Sequence, residues 1–104
     1  MKKVILDENI PQPFRYDLDM FEVYTVGYLG WAGIKNGELI NKIDGDFDVF
    51  ITGDQNLRYQ QNLSQRKISI IEVQVTRLDL LRLIKDLVIE AVLQAKPGSY
   101  IQVV

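Results

Sequence analysis

The chain predicts a three-layer α/β/α fold built on a parallel sheet of roughly five strands. Three observations carry that expectation. Short apolar, β-branched runs alternate with helical patterns in the order β-α-β-α-β-α-β-α-β. Several runs are apolar at consecutive positions, as strands covered on both faces are. Acids follow two of them directly: Asp7 and Glu8 after Val4-Ile5-Leu6, and Asp54 after Val49-Phe50-Ile51-Thr52 across Gly53. In open α/β sheets ligands bind outside the strand carboxyl ends.

The elements read as follows. Val4 to Leu6 is a short buried strand. Pro11 and Pro13 sit at or just before a short helix through Phe14 to Leu18, where a first turn tolerates proline. Glu22 to Val26 is a strand by propensity, followed by a glycine-rich loop from Gly27 to Gly33. Asn36 can cap a helix through Glu38 to Ile43. Asp44-Gly45-Asp46 is a turn, and Asp48 to Thr52 the third strand. Gln55 to Leu63 is polar, a short helix or a loop. Lys67 to Val75 is the longest strand candidate. Thr76 with Asp79 resembles a capping box, opening one long helix with Leu80, Ile84, Leu87, Ala91 and Ala95 on its apolar stripe. Pro97-Gly98 ends it, and Tyr100 to Val104 is the last strand. The whole of residues 1–104 reads as one domain without linker, repeat or low-complexity segment.

Composition narrows the chemistry. The chain has 104 residues, 47% hydrophobic and 25% charged, ordinary values for a globular domain. A net charge of -2 gives no bulk electrostatic drive toward nucleic acid. With no cysteine and no histidine, thiol nucleophiles, thiolate metal sites and the commonest general base are excluded. Any metal must be held by oxygen, which favours magnesium, calcium or manganese over zinc or copper. No apolar run has the roughly 20 residues of a membrane span. The basic-then-apolar start is cut short by Asp7 before it makes a secretion signal, so the expected location is cytoplasmic.

Parallel strands bring all carboxyl ends to one edge, which makes Asp7 and Asp54 candidate neighbours. Asp7 is the leading functional acid, and its structural alternative is a loop acid bonding nearby amides. Glu8, pointing elsewhere, ranks second; Asn9 reads as a turn or capping residue. Asp54 either caps the following helix or joins a metal site, with Asn56 offering an amide oxygen two residues on. Glu38 in a first helical turn is a dipole partner by itself and a third carboxylate in company. Asp44, Asp46 and Asp48 read as a solvated cluster at the opposite strand end. Arg15, Lys35 and Arg58 fall near the acidic edge and suit phosphates. Tyr28, Trp31 and Tyr59 suit base stacking, with local packing the alternative for Trp31.

Leu6-Asp7-Glu8-Asn9-Ile10-Pro11, then Asn36-Gly37-Glu38-Leu39-Ile40, then Phe50-Ile51-Thr52-Gly53-Asp54-Gln55-Asn56-Leu57 resemble the compact PIN-like family. That family looks like a shortened relative of PIN-domain ribonucleases, including VapC-type toxins. The resemblance covers nearly the whole chain. It implies a parallel sheet, a site binding Mg2+ or Mn2+, and hydrolysis of RNA. By position, Asp7 matches the first-strand acid, Glu38 the helix acid and Asp54 the acid after the third strand. Asn56 stands where many relatives have a further aspartate, and Gln55 replaces a frequent lysine. Toxin-like relatives imply an RNA substrate and an antitoxin partner; a homodimer is a further expectation.

In the nuclease reading Asp7, Glu38 and Asp54 hold one or two ions, and a metal lowers the pKa of the water that attacks the phosphodiester. Such chemistry needs no histidine. The alternative is a PIN-like binding module without turnover, which Asn56 favours. A phospho-accepting receiver domain also places acids after its first and third strands, but carries a lysine just after the fifth, where this sequence stops at Val104.

Overall fold

A computed structural model describes residues 1–57 and 65–103. The chain forms β1 (Lys3–Leu6), a 3-10 helix (Gln12–Leu18), β2 (Glu22–Thr25), α1 (Asn36–Ile43), β3 (Val49–Thr52), β4 (Ser69–Val73), α2 (Leu78–Leu83), α3 (Lys85–Gln94) and β5 (Tyr100–Val103). The five strands make one sheet in the order β2-β1-β3-β4-β5, and every neighbouring pair is parallel. The three-layer α/β/α architecture read from the sequence is therefore the one observed.

Side-chain alternation along the strands sorts the core into two. Val4, Leu6, Val49, Ile51, Ile71 and Val73 face one side, with Phe14, Leu18, Leu81, Val88 and Val92 from the 3-10 helix, α2 and α3. Ile5, Phe50 and Ile70 face the other, with Leu39, Ile40 and Ile43 of α1 and with Leu57 and Ile68. Trp31 packs on this second side, edge-on to Phe47 at 6.5 Å between ring centroids, and serves as the local anchor rather than an open stacking face.

Several local expectations are corrected. The single long helix is broken at Ile84 (φ -108°, ψ 12°) into α2 and α3. The break shifts the buried stripe to Leu81, Val88, Ala91 and Val92, and leaves Leu87 52% exposed. Thr76 does not cap: Arg77 takes the N-cap position of α2 without a side-chain cap bond, and pairs instead with Asp79 at 2.7 Å. The β4 strand is five residues, not nine: it ends at Val73, and at its start Asp44 takes the amides of Lys67 and Ile68 at 2.8 and 2.9 Å. Asp46 and Asp48 are exposed as expected, but Asp44 and Asp48 are also ties; Asp48 accepts the Lys3 amide at 2.8 Å. Lys2 closes the end of α3 by donating to the Val92 and Ala95 carbonyls at 2.6 and 2.8 Å, a cation where the helix dipole favours one. Among the described residues no helix is long and apolar enough to cross a membrane.

Candidate active site

The order β2-β1-β3-β4-β5 reverses direction between β1 and β3, and in open parallel sheets that switch point is where ligand crevices form. Asp7 and Thr52 stand there. Leu6 is in register with Ile51, so the next residues, Asp7 and Thr52, lie opposite one another. Asp7 remains tied to the sheet through its own amide, which donates to the Ile51 carbonyl at 2.9 Å.

Asp7 is only 6% exposed. Its Oδ1 accepts the Glu8 amide at 2.8 Å and its Oδ2 accepts the Thr52 hydroxyl at 2.7 Å. Burial raises its pKa above the ordinary carboxylate value. The Thr52 and Glu8 bonds pull it down, while the charges of Glu8 and Asp54 push it up further. The Asp54 charge is thus felt at Asp7.

Asp54 is fixed from three directions. Its amide donates to the Thr52 hydroxyl at 3.0 Å, its Oδ1 accepts the Asn56 amide at 2.9 Å, and its Oδ2 accepts Nδ2 of Asn36 at 2.6 Å. One expectation changes here. Asn36 does not cap its own helix, since Lys35 is the N-cap; its side chain crosses to Asp54. Asn56 engages Asp54 through its backbone amide, in an Asx turn. Asn9 likewise works across the sheet: its Oδ1 accepts the Gly53 amide at 3.0 Å. Glycine suits position 53 at this crossing, because a Cβ there would collide with the Thr76 methyl, which would have to shift, while meeting Asn9 at ordinary contact distance.

The remaining candidates are less closely gathered. Glu8 is exposed and accepts the Gly33 amide at 3.2 Å, tying the glycine-rich loop to the tip of β1. Glu38 is exposed in the first turn of α1. Lys35 is exposed beside it. Arg58 and Tyr59 lie outside the described residues. Among the described residues no group of three or more acids is close enough to hold a metal ion together. The pair Asp7 and Asp54 still suits magnesium, which commonly takes one or two carboxylates and keeps several waters. Each of their four oxygens accepts one of the protein hydrogen bonds above and can accept another.

Sequence reasoning missed Thr52 and Glu72. Thr52 is fully buried, and its hydroxyl joins the two acids. Glu72 on β4 is 1% exposed, in register with Thr52 on one side and Gln102 on the other. It accepts from the Tyr100 hydroxyl at 2.6 Å, Gln74 at 2.6 Å and Gln102 at 3.2 Å. Its signal was present: an acid inside the apolar run Ile70-Ile71-Glu72-Val73 must be buried and therefore partnered. No protein-family model, curated protein or solved structure matches this chain.

Proposed function

We propose that this protein is a metal-dependent ribonuclease of PIN-like type, using Mg2+ or Mn2+ to hydrolyse RNA phosphodiester bonds. The observation that carries the reading is the buried Asp7 carboxylate, held beside Asp54 at the β1/β3 switch point. Asp7 and Asp54 are the residues that would hold the ion, while Glu38, Glu8 and Asn56 would act at most through intervening water. Bound there, the metal would supply a more acidic water and neutralise charge on the phosphate. Thr52 orients Asp7 by spending its one proton on Oδ2, since its oxygen already accepts the Asp54 amide. The Glu8 amide orients the other oxygen. Two fixed neighbouring carboxylates repel each other, and a cation relieves that repulsion.

The test is cleavage of single-stranded RNA by the purified protein with magnesium or manganese. Cleavage should vanish on chelation and in Asp7→Asn and Asp54→Asn. Either metal should also raise the melting temperature of the wild type and not of Asp7→Asn, as binding to the folded state requires. No cleavage with either metal, together with no metal-dependent shift, refutes the proposal.

One observation favours a second reading, a binding module without turnover. Both Asp54 oxygens already accept protein donors, from Asn36 and Asn56, so this acid also serves as a loop brace. RNA binding that survives chelation, with no cleavage, would select it.

A further inference from the structure

A shallow depression of about 280 Å³ lies beside the outer edge of β2, lined by Arg15, Val23, Tyr24, Thr25 and Tyr28. Its lining residue Thr25 is in register with Leu6, the residue just before Asp7, so the depression lies one strand away from the carboxyl end that carries Asp7. We propose that this depression is the subsite for one base of a single-stranded RNA, flanking the scissile bond, with Tyr28 as the stacking face and Arg15 as the phosphate contact. The inference rests on the ribonuclease reading for its substrate.

Four features fit one nucleotide. The volume sits just under the roughly 300–1,000 Å³ usual for small-molecule sites, a scale suited to a single base. Tyr28 is 78% exposed, an aromatic face offered to solvent from a backbone whose amide is held by Thr25 Oγ1 at 3.0 Å. Base–aromatic stacking of this kind tolerates any base. Arg15 is held over the Tyr16 ring at 4.7 Å and donates one N–H to the Tyr16 hydroxyl at 2.7 Å, leaving further donors in its planar fork. Among the lining residues Arg15 is the one cation, which suits one phosphate contact and not a long polyanion track. At Tyr24 the charges are already matched: Glu22 accepts its hydroxyl at 2.9 Å, and Lys3 lies over its ring and pairs with Glu22 at 3.9 Å.

A peptide strand adding to β2 fits less well. The Thr25 carbonyl on that outer edge already accepts the Leu29 amide at 3.1 Å, so the ladder is closed after a few residues.

The test uses Asp7→Asn protein, to prevent cutting, with a short fluorescein-labelled single-stranded RNA followed by anisotropy. Tyr28→Ala should weaken binding by about 5- to 100-fold, the range of one base stack, and Tyr28→Phe should retain it. Arg15→Ala should weaken binding and flatten the salt dependence of log K by about 0.7, the increment of one single-strand phosphate. Both side chains lie at the surface, and unchanged melting temperatures would confirm intact folding. In otherwise wild-type protein, the same variants should raise KM for cleavage more than they lower kcat. Wild-type cleavage with binding and KM indifferent to both variants overturns the subsite and leaves the nuclease reading standing. Binding that depends on Tyr28 and Arg15 without any cleavage by the wild type does the reverse. Absence of RNA binding overturns the subsite.

Discussion

Replacing Thr52 with valine removes one oxygen and leaves the shape of a fully buried side chain nearly unchanged. Two hydrogen bonds go with it: the donor to Asp7 Oδ2 at 2.7 Å and the acceptor of the Asp54 amide at 3.0 Å. A bond to a charged group contributes about 1.5–3 kcal/mol and a neutral one about 0.5–1.5 kcal/mol. Relief from burying a hydroxyl offsets part of the sum, so the net cost should be about 2–3 kcal/mol. For a chain of this size that lowers the melting temperature by about 10–15 °C. The loss also depends on pH. Asp7 is raised in the folded state, so its ionisation costs stability as pH climbs from the ordinary carboxylate value through the raised folded one. The Thr52 bond limits that rise. Without it the raised value moves higher still, so the deficit of Thr52→Val should grow from acid to neutral pH. Urea unfolding followed by Trp31 fluorescence, in wild-type and Asp7→Asn backgrounds, measures both effects. In the Asp7→Asn background the cost of losing the hydroxyl should fall to about 1 kcal/mol. An equal cost in both backgrounds would mean that the hydroxyl does not act through the Asp7 charge, and would refute the reasoning.

Gly53→Ala should cost about 1–3 kcal/mol by overpacking against the Thr76 methyl, and Thr76→Ser, which removes that methyl alone, should recover most of it in the double variant by urea denaturation. Asp44→Asn should destabilise the start of β4 by about 1–2 kcal/mol at neutral pH. Burial pushes the Asp44 carboxyl up, but the Ile68 and Lys67 amides and Arg66 outweigh it and hold it below the ordinary value. A lowered carboxylate stabilises the fold above its unfolded value and loses that contribution as pH falls through the folded one. The gap between wild type and Asp44→Asn should therefore close in acid; a gap independent of pH would show that the charge is not what the two amides recognise.

The fold was legible because burial on both faces leaves a coarse mark. Runs such as Val4-Ile5-Leu6 and Val49-Phe50-Ile51 have few other uses, and each is covered on both sides as expected. Boundaries failed where a side chain from elsewhere intervened. Nothing near Lys67 in the sequence says that Asp44, over twenty residues earlier, claims its amide. The α2–α3 break at Ile84 carries neither glycine nor proline, and nothing local in the sequence marks it. The 3-10 helix, in contrast, starts beside Pro11 with Pro13 in its first turn, as proline chemistry dictates.

The site divides along the same line, and the division has a physical cause. The place of Asp7 and Asp54 at the strand ends was legible because each acid directly follows its own strand, a relation internal to a few residues. Thr52, Asn36 and Asn9 were missed in their actual roles because those roles are relations between strands. Thr52 meets Asp7 only once Leu6 pairs with Ile51, and one step of slippage would turn its hydroxyl to the other face. Register also aligns Thr52 with Glu72 and Gln102 in one polar row across β3, β4 and β5. Every side chain of that row alternates with an apolar neighbour, Ile51, Ile71 and Ile101, that seats in the opposite core. The apolar rung therefore sets the polar one: the hydrophobic pattern that fixes strand register also brings a hydroxyl to Asp7. A core change at Ile51 or Ile71 that shifted register would dismantle the site without touching any polar atom in it.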